Sequence, residues 1–304
     1  MSSDSTNRTL AVINPAAGSG KCGKLAPAAL EKLRASGIEI DSVYTKSPGD
    51  GTAAARDAYA RGYRRFIAVG GDGTSYEIVN GVFPESSNAD RIALGFLPLG
   101  TGNSFLRDFT KNGLSYAADA IVTGRQQPCD VLRVTHSAGE IYFINLLSVG
   151  FSADVAALTN RRFKSIGHLG YLLGVFACLA RLRRGVFPAR VDDDPDFDRE
   201  RCLLLTFNNS KWTGGNMMIG PRADISDGLI DYVRMGPISR TTLLLNLHTL
   251  FDGTHLKHPF VSHRNAQRVE FQLDGPVDVM IDGEVLTLDL KSIELLPRAL
   301  DVMA

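Results

Sequence analysis

No run of 18 or more apolar residues occurs in the 304-residue chain, so a membrane-spanning helix is not expected. Cysteine is scarce: Cys22, Cys129, Cys178 and Cys202 lie far apart, with no CxxC spacing and no Cys/His cluster. A disulfide framework and a thiolate zinc site are therefore not expected, and the thiols read as reduced in a cytoplasmic protein. Net charge is also missing, with 33 basic and 33 acidic residues, which leaves no overall pull toward nucleic acid. The first residues, "MSSDSTNRTLAVIN", lack an apolar core and do not read as a signal peptide. No His pairs with a metal-ligand motif; His255 and His258 read as surface or loop residues. Trp212 is the single tryptophan and reads as a half-buried packing residue.

What is present is 44% apolar and 22% charged residues, enough for real cores. The first third alternates short apolar runs with helical patterns. "TLAVIN" (9–14), "IEIDSVYT" (38–45), "RFIAVGG" (65–71) and "RIALGFLPLG" (91–100) read as strands. Helices are expected around 24–36, 74–83 and 102–109, which makes βαβ units and a parallel sheet. Near Pro128 the pattern changes. "DVLRVT" and "EIYFINLLSVGF" (140–151) are separated by "HSAG", a hairpin signal, and further short strands with turns "SDG" and "DGE" follow. That half reads as antiparallel. A helical insert is expected over 158–190, rich in Arg and free of acids, followed by acidic "DDDPDFDRE" (192–200). Its apolar stretch 169–182 suits either a core or a membrane surface, and its arginines suit pairing with the acidic stretch.

"NPAAGSGKCGKL" (14–25) has P-loop spacing but lacks Ser or Thr after Lys24, so the metal-binding hydroxyl is missing. Glycines after a first strand still let backbone N–H groups approach an anion, and a simple strand–helix turn explains them as well. "AVGGDGTSYE" (68–77) repeats the arrangement at the third strand, with Asp72 among the glycines and Thr74 beside it, and "LPLGTGNSF" (97–105) does so at the next. A carboxylate there would repel phosphate unless it contacts Mg²⁺, its water or a nucleotide hydroxyl. Parallel sheets bind ligands at the carboxyl ends of their strands, so the three loops should converge.

Together "NPAAGSG", "GGDGT" and "PLGTGN" resemble the catalytic domain of the diacylglycerol kinase and sphingosine kinase superfamily, most of all its soluble bacterial lipid kinases. "CDVLRV", "GGNMMIGPRADISDGLIDYV" and "VMIDGE" extend the resemblance to residue 284. It implies α/β plus all-β architecture. A Rossmann-like three-layer α/β nucleotide domain would span 1–130, with 293–304 packing back on it. An antiparallel β-sandwich for the lipid substrate would span 131–292, with the active site in the cleft between domains. It implies nucleotide contacts from Asn14, Pro15, Gly18, Gly20, Thr45, Gly70, Gly71, Asp72, Gly73, Thr74, Glu77, Gly100, Thr101 and Asn103. In catalysis it implies Glu284 as proton acceptor with Asp282 beside it, or Asp72 as the base; "DGE" alone would read as a hairpin turn with solvated acids. A second Mg²⁺ site would use Asp224, Asp227 and the carbonyl of Leu229. Ser104 stands where many relatives have Asp.

The expected reaction is Mg²⁺-dependent transfer of the γ-phosphate of ATP to a lipid alcohol, by a cytoplasmic protein peripherally associated with membrane when acting. An NAD kinase-like enzyme is the nearest rival, disfavoured because "NNS" (208–210) lacks an acid. A non-catalytic nucleotide-binding regulator is the other. The particular lipid, and whether the chain forms a homo-oligomer, stay open.

Overall fold

A computed structural model describes residues 8–86, 90–150, 184–214 and 216–304. The chain divides into two compact units, residues 1–131 with 297–304, and residues 132–296.

In the first unit, strands β1 (Thr9–Ile13), β2 (Ile40–Tyr44), β3 (Arg65–Gly70) and β4 (Ala93–Pro98) pair in parallel in the order β2-β1-β3-β4. Helices α1 (Lys21–Ala35), α2 (Asp50–Ala60), α3 (Asp72–Val82) and α4 (Gly113–Thr123) accompany them. Every residue of β1 is buried, which is why this strand reads as a continuous apolar run rather than an alternating one. Helix α1 buries Cys22, Ala26, Leu30 and Leu33, a stripe at helical spacing. The expected helix at 102–109 shrinks to one 3₁₀ turn, Phe105–Asp108, and α4 follows it. The parallel sheet is extended from the far end of the chain: Asp301–Met303 pair in parallel with Ala93–Gly95.

The second unit is antiparallel. Strand β5 (Gln127–His136) enters it and turns at Ser137–Ala138 into β6 (Gly139–Phe143), with His136 opposite Gly139. Next come β7 (Leu146–Gly150), β8 (Gly185–Val186), β9 (Ala189–Val191), β10 (Arg201–Cys202), β11 (Leu204–Asn208), β12 (Trp212–Thr213), β13 (Met217–Met218) and β14 (Ile230–Met235). Short helices α5 (Arg240–Asn246) and α6 (Thr249–Asp252) precede β15 (Val261–Ala266), β16 (Arg268–Phe271), β17 (Val277–Ile281), β18 (Glu284–Leu288) and β19 (Leu290–Met303). One sheet runs β15-β14-β11-β7-β17-β18; in the other, β19 pairs with β16 and β5 with β6. The two sheets meet through Phe207 of β11, whose ring lies edge-on to Phe271 of β16 at 5.5 Å and stacks on Tyr232 at 5.1 Å. On the opposite face of the first sheet, Leu204, Met235 and Met280 pack with Leu243 of α5 and Leu250 of α6.

Four further expectations change. The strand 140–151 is two strands, broken at Ile144–Asn145 because those N–H groups and that of Leu146 point to the Asp282 carboxylate at 3.0–3.1 Å. The insert 158–190 lies mostly outside the described residues, and its end is extended rather than helical, forming β8 and β9. The acidic stretch does not pair with the insert's described arginines. Arg184 donates to the Ile238 carbonyl and Arg190 pairs with Glu270, while Asp194 pairs with Arg264 and Asp198 with Arg234. His255 is not a surface residue: it is 3% exposed, its ring nitrogens facing the Thr249 and Ile219 carbonyls. Cys22, Cys129 and Cys202 are buried free thiols, and Trp212 is half-buried.

Candidate functional site

The glycine loops of the first unit touch one another. A Cβ on Gly100 would sit 2.6 Å from the Gly71 Cα, and one on Gly18 would sit 2.6 Å from the Leu99 carbonyl oxygen. The Gly100 N–H also donates to the Gly70 carbonyl at 2.7 Å, which ties the second loop to the third. Side chains at these positions would force the loops apart; glycine is required for the approach. Asn14 joins from the end of β1, its N–H on the Val69 carbonyl and its side-chain oxygen accepting from the Ala16 N–H.

The first loop turns through three successive left-handed residues, Gly18 (φ 61°), Ser19 (φ 58°) and Gly20 (φ 84°). Ser19 holds a conformation that costs a non-glycine residue about 1 kcal/mol or more. Pro15 packs under Gly23 at the start of α1. Thr45, at the end of β2, directs its N–H and hydroxyl to the Ile13 carbonyl.

Asp72 opens α3, but its carboxylate turns to the third loop. Oδ2 accepts the Ser104 N–H at 2.8 Å and Oδ1 the Phe105 N–H at 3.3 Å, with the buried Ser104 hydroxyl also directed to it. Burial pushes its pKa up, and these bonds pull against that. The acid thus caps the 3₁₀ turn and braces one loop on the other. Glu77, one turn into α3, sends its two oxygens to the N–H groups of Gly49 and Gly51 at 2.8 and 2.7 Å, capping α2. Thr74 is buried with its hydroxyl unpartnered among the described residues. Asn103, also left-handed at φ 50°, donates to the Gly100 carbonyl, and Thr101 is exposed. Gly70, Gly71, Asp72, Pro98 and Asn103 line a small cavity at this point.

In the second unit, Asp282 (φ 48°) and Gly283 (φ 92°) form a two-residue left-handed turn joining β17 to β18, with Ile281 opposite Glu284. The neighbours differ sharply. Asp282 is 3% exposed and accepts the three N–H groups that break the strand before β7. Glu284 is exposed, and no hydrogen bond or ion pair among the described residues engages its carboxylate. The turn therefore presents one acid outward by burying the other.

Asp224 and Asp227 are exposed. Asp224 accepts from the Ser226 N–H and hydroxyl, and Asp227 from the Leu229 N–H at 2.9 Å. The described residues hold no cluster of three His, Cys, Asp or Glu side chains around one point. With the Leu229 carbonyl, the donors here are oxygens only, which suits a hard cation.

Sequence reasoning missed a pair beside that loop, a buried Asp and a half-buried His. Asp231, 2% exposed, pairs with His263 across β14 and β15. Burial pushes the Asp231 pKa up while the His263 charge pulls it down. Their near-opposite positions depend on strand register, which the sequence does not print. Asn208 and Asn209 of "NNS" are fully buried, donating to the Asp231 and Ile144 carbonyls, a structural use of both carboxamides.

Comparison with known proteins bears on this arrangement. Residues 8–134 match the diacylglycerol kinase catalytic domain, and residues 145–304 match the YegS C-terminal NAD kinase beta sandwich-like domain. A diacylglycerol kinase of Mycobacterium tuberculosis is 31% identical over 300 residues, covering 97% of this chain and 94% of that protein. One from Bacillus subtilis is 29% identical, covering 91% of this chain and 89% of that protein. A crystal structure from Bacillus anthracis superposes with a TM-score of 0.76 at 22% identity, covering 99% of this chain and 96% of the other. A further Bacillus anthracis structure, of a diacylglycerol kinase, gives a TM-score of 0.70 at 21% identity, covering 98% of this chain and 96% of the other. The chain belongs to the bacterial diacylglycerol kinase family, with the diacylglycerol kinase catalytic domain over residues 8–134.

Proposed function

We propose that this protein transfers the γ-phosphate of ATP to the hydroxyl of a lipid alcohol, of which diacylglycerol is the first candidate. The observation that carries the reading is the mutual contact of the three glycine loops, with a buried Thr74 hydroxyl left unpartnered among them. Backbone N–H groups at the start of α3 and around Gly18 suit a polyphosphate. The named relatives supply the lipid.

Phosphoryl transfer asks for positioning, charge compensation and an acceptor for the proton of the attacking hydroxyl. The loops position the nucleotide. Mg²⁺ bound with ATP would neutralise charge on the phosphates. Glu284 serves as proton acceptor, because its carboxylate is unengaged and its neighbour fixes the turn. Asp72 is a positioning residue, since both its oxygens already accept N–H groups. Asp224, Asp227 and the Leu229 carbonyl would hold a second Mg²⁺ that stiffens the loop before β14. A lipid substrate requires contact with a membrane surface during turnover.

The test is a transfer assay with ATP carrying a radiolabelled γ-phosphate over a total lipid extract, with identification of labelled products. Label in a lipid phosphomonoester supports the reading; label only in water-soluble products contradicts it.

A further inference from the structure

Residues 240–252 run almost continuously as helix, since Leu247 and His248, between α5 and α6, keep right-handed helical dihedrals. One face is accounted for: Leu243 and Leu250 are buried in the core beneath the sheet, with Leu247 packed against it. The rest of the helix surface should then be polar. Three large apolar side chains break that expectation: Leu244 is 48% exposed, Leu245 74% and Phe251 45%. At helical spacing Leu244 and Phe251 share one flank, about a quarter turn from Leu243 and Leu250, and Leu245 lies on the far side. Phe260, 52% exposed, follows on the segment leaving the helix, its ring 5.4 Å from that of His258. Four large apolar side chains from one short segment are more than the scattered exposure of an ordinary surface.

Two of the three fixed charges around them are positive. Arg240 and Lys257 are exposed within the same segment, and His248 is exposed between them. The only acid between Arg240 and Phe260 is Asp252, whose carboxylate accepts the Thr254 N–H and hydroxyl and is held below the usual range by those bonds. An apolar ridge flanked by cations matches a surface with anionic headgroups above hydrocarbon.

We propose that the α5–α6 ridge, with Leu244, Leu245, Phe251 and Phe260 as its apolar contacts and Arg240 and Lys257 as its headgroup contacts, docks the protein on anionic membrane. The inference rests on the lipid-kinase reading for its biological purpose and on the ridge alone for its physics. The ridge is too short to span and lies along the interface. Its affinity is the sum of small terms, so binding is reversible and salt-sensitive.

The experiment is co-sedimentation of the full chain with vesicles of phosphatidylcholine mixed with phosphatidylglycerol, and with phosphatidylcholine alone. The wild-type chain should sediment with the mixed vesicles and lose binding as salt rises. Leu245→Ser combined with Phe251→Ser should weaken binding by about tenfold or more. Arg240→Gln and Lys257→Gln should each weaken it about fivefold, the equivalent of about 1 kcal/mol per basic residue. The control pair Leu114→Ser and Val122→Ser, at exposed apolar positions of α4, should leave it unchanged. These sites are exposed, so folding should survive; thermal unfolding of each variant verifies that. Wild-type binding by the ridge variants would overturn the proposal. So would a dimer in light scattering that the Leu245 and Phe251 changes disperse, because a second copy would then own the ridge. Activity on a short-chain, water-dispersed diacylglycerol separates this from the reading above. Ridge variants should keep it, whereas an inactive wild-type chain that still binds vesicles would sink the kinase reading and leave the docking surface standing.

Discussion

The Asp72 carboxylate accepts the backbone N–H of Ser104 at 2.8 Å, so the acid of one glycine loop is the cap of the next. In the proposed mechanism Asp72 and Glu284 do different work, and their variants should fail differently. Asp72→Ala removes the brace and should raise the dissociation constant for ATP as well as lower kcat. Glu284→Gln should lower kcat by about 10²–10⁴-fold and leave ATP binding unchanged. Calorimetric titration of ATP into each variant, beside the turnover assay, checks the pair.

Asp282 and Glu284 flank one glycine and should also separate, this time in stability. Asp282→Ala strands three buried N–H groups and should cost about 3–5 kcal/mol. Glu284→Gln, at an exposed position, should stay within about 0.5 kcal/mol of wild type. Denaturant unfolding measures both. Equal destabilisation would mean that the turn does not divide its acids as described.

Gly100→Ala tests the contact between loops. Its Cβ would meet backbone, the Gly71 Cα at 2.6 Å and N at 2.7 Å, and backbone cannot swing aside as a side chain can. Overpacking of this kind costs about 1–3 kcal/mol, and ATP affinity should fall with it. Gly275→Ala, where an added Cβ meets nothing within 4 Å, is the matched control.

His255 gives a pH dependence. Burial holds its pKa below the ordinary 6.5, outweighing its two carbonyl contacts. The unfolded chain therefore binds a proton more readily than the folded one. Stability falls as pH drops below 6.5 and levels once the folded pKa is passed. Subtracting the unfolding free energy of a His255→Gln variant at each pH should isolate that slope; a flat difference would contradict it.

Legibility from sequence followed the range of the interaction. The parallel sheet was readable because β1, β3 and β4 are short apolar runs, each leading into a glycine-bearing loop. The meeting of the loops was readable because parallel strands send their carboxyl ends the same way. What the side chains do there was not. The Asp72 bond to Ser104 spans 32 residues, and the Glu77 bonds to Gly49 and Gly51 span 28 and 26. The break at Ile144–Asn145 answers to an acid 137–138 residues away. Periodicity is blind to such pairings. His255 looked like a loop residue because its neighbours are polar; its burial comes from the Ile219 and Thr249 carbonyls, which tertiary packing brings to it.

The most direct test compares the wild-type chain with Glu284→Gln for transfer of labelled γ-phosphate into lipid, at saturating ATP confirmed by titration of each. The account predicts labelled lipid from the wild type, almost none from the variant, and the same ATP affinity in both. Undiminished labelling by Glu284→Gln would contradict it.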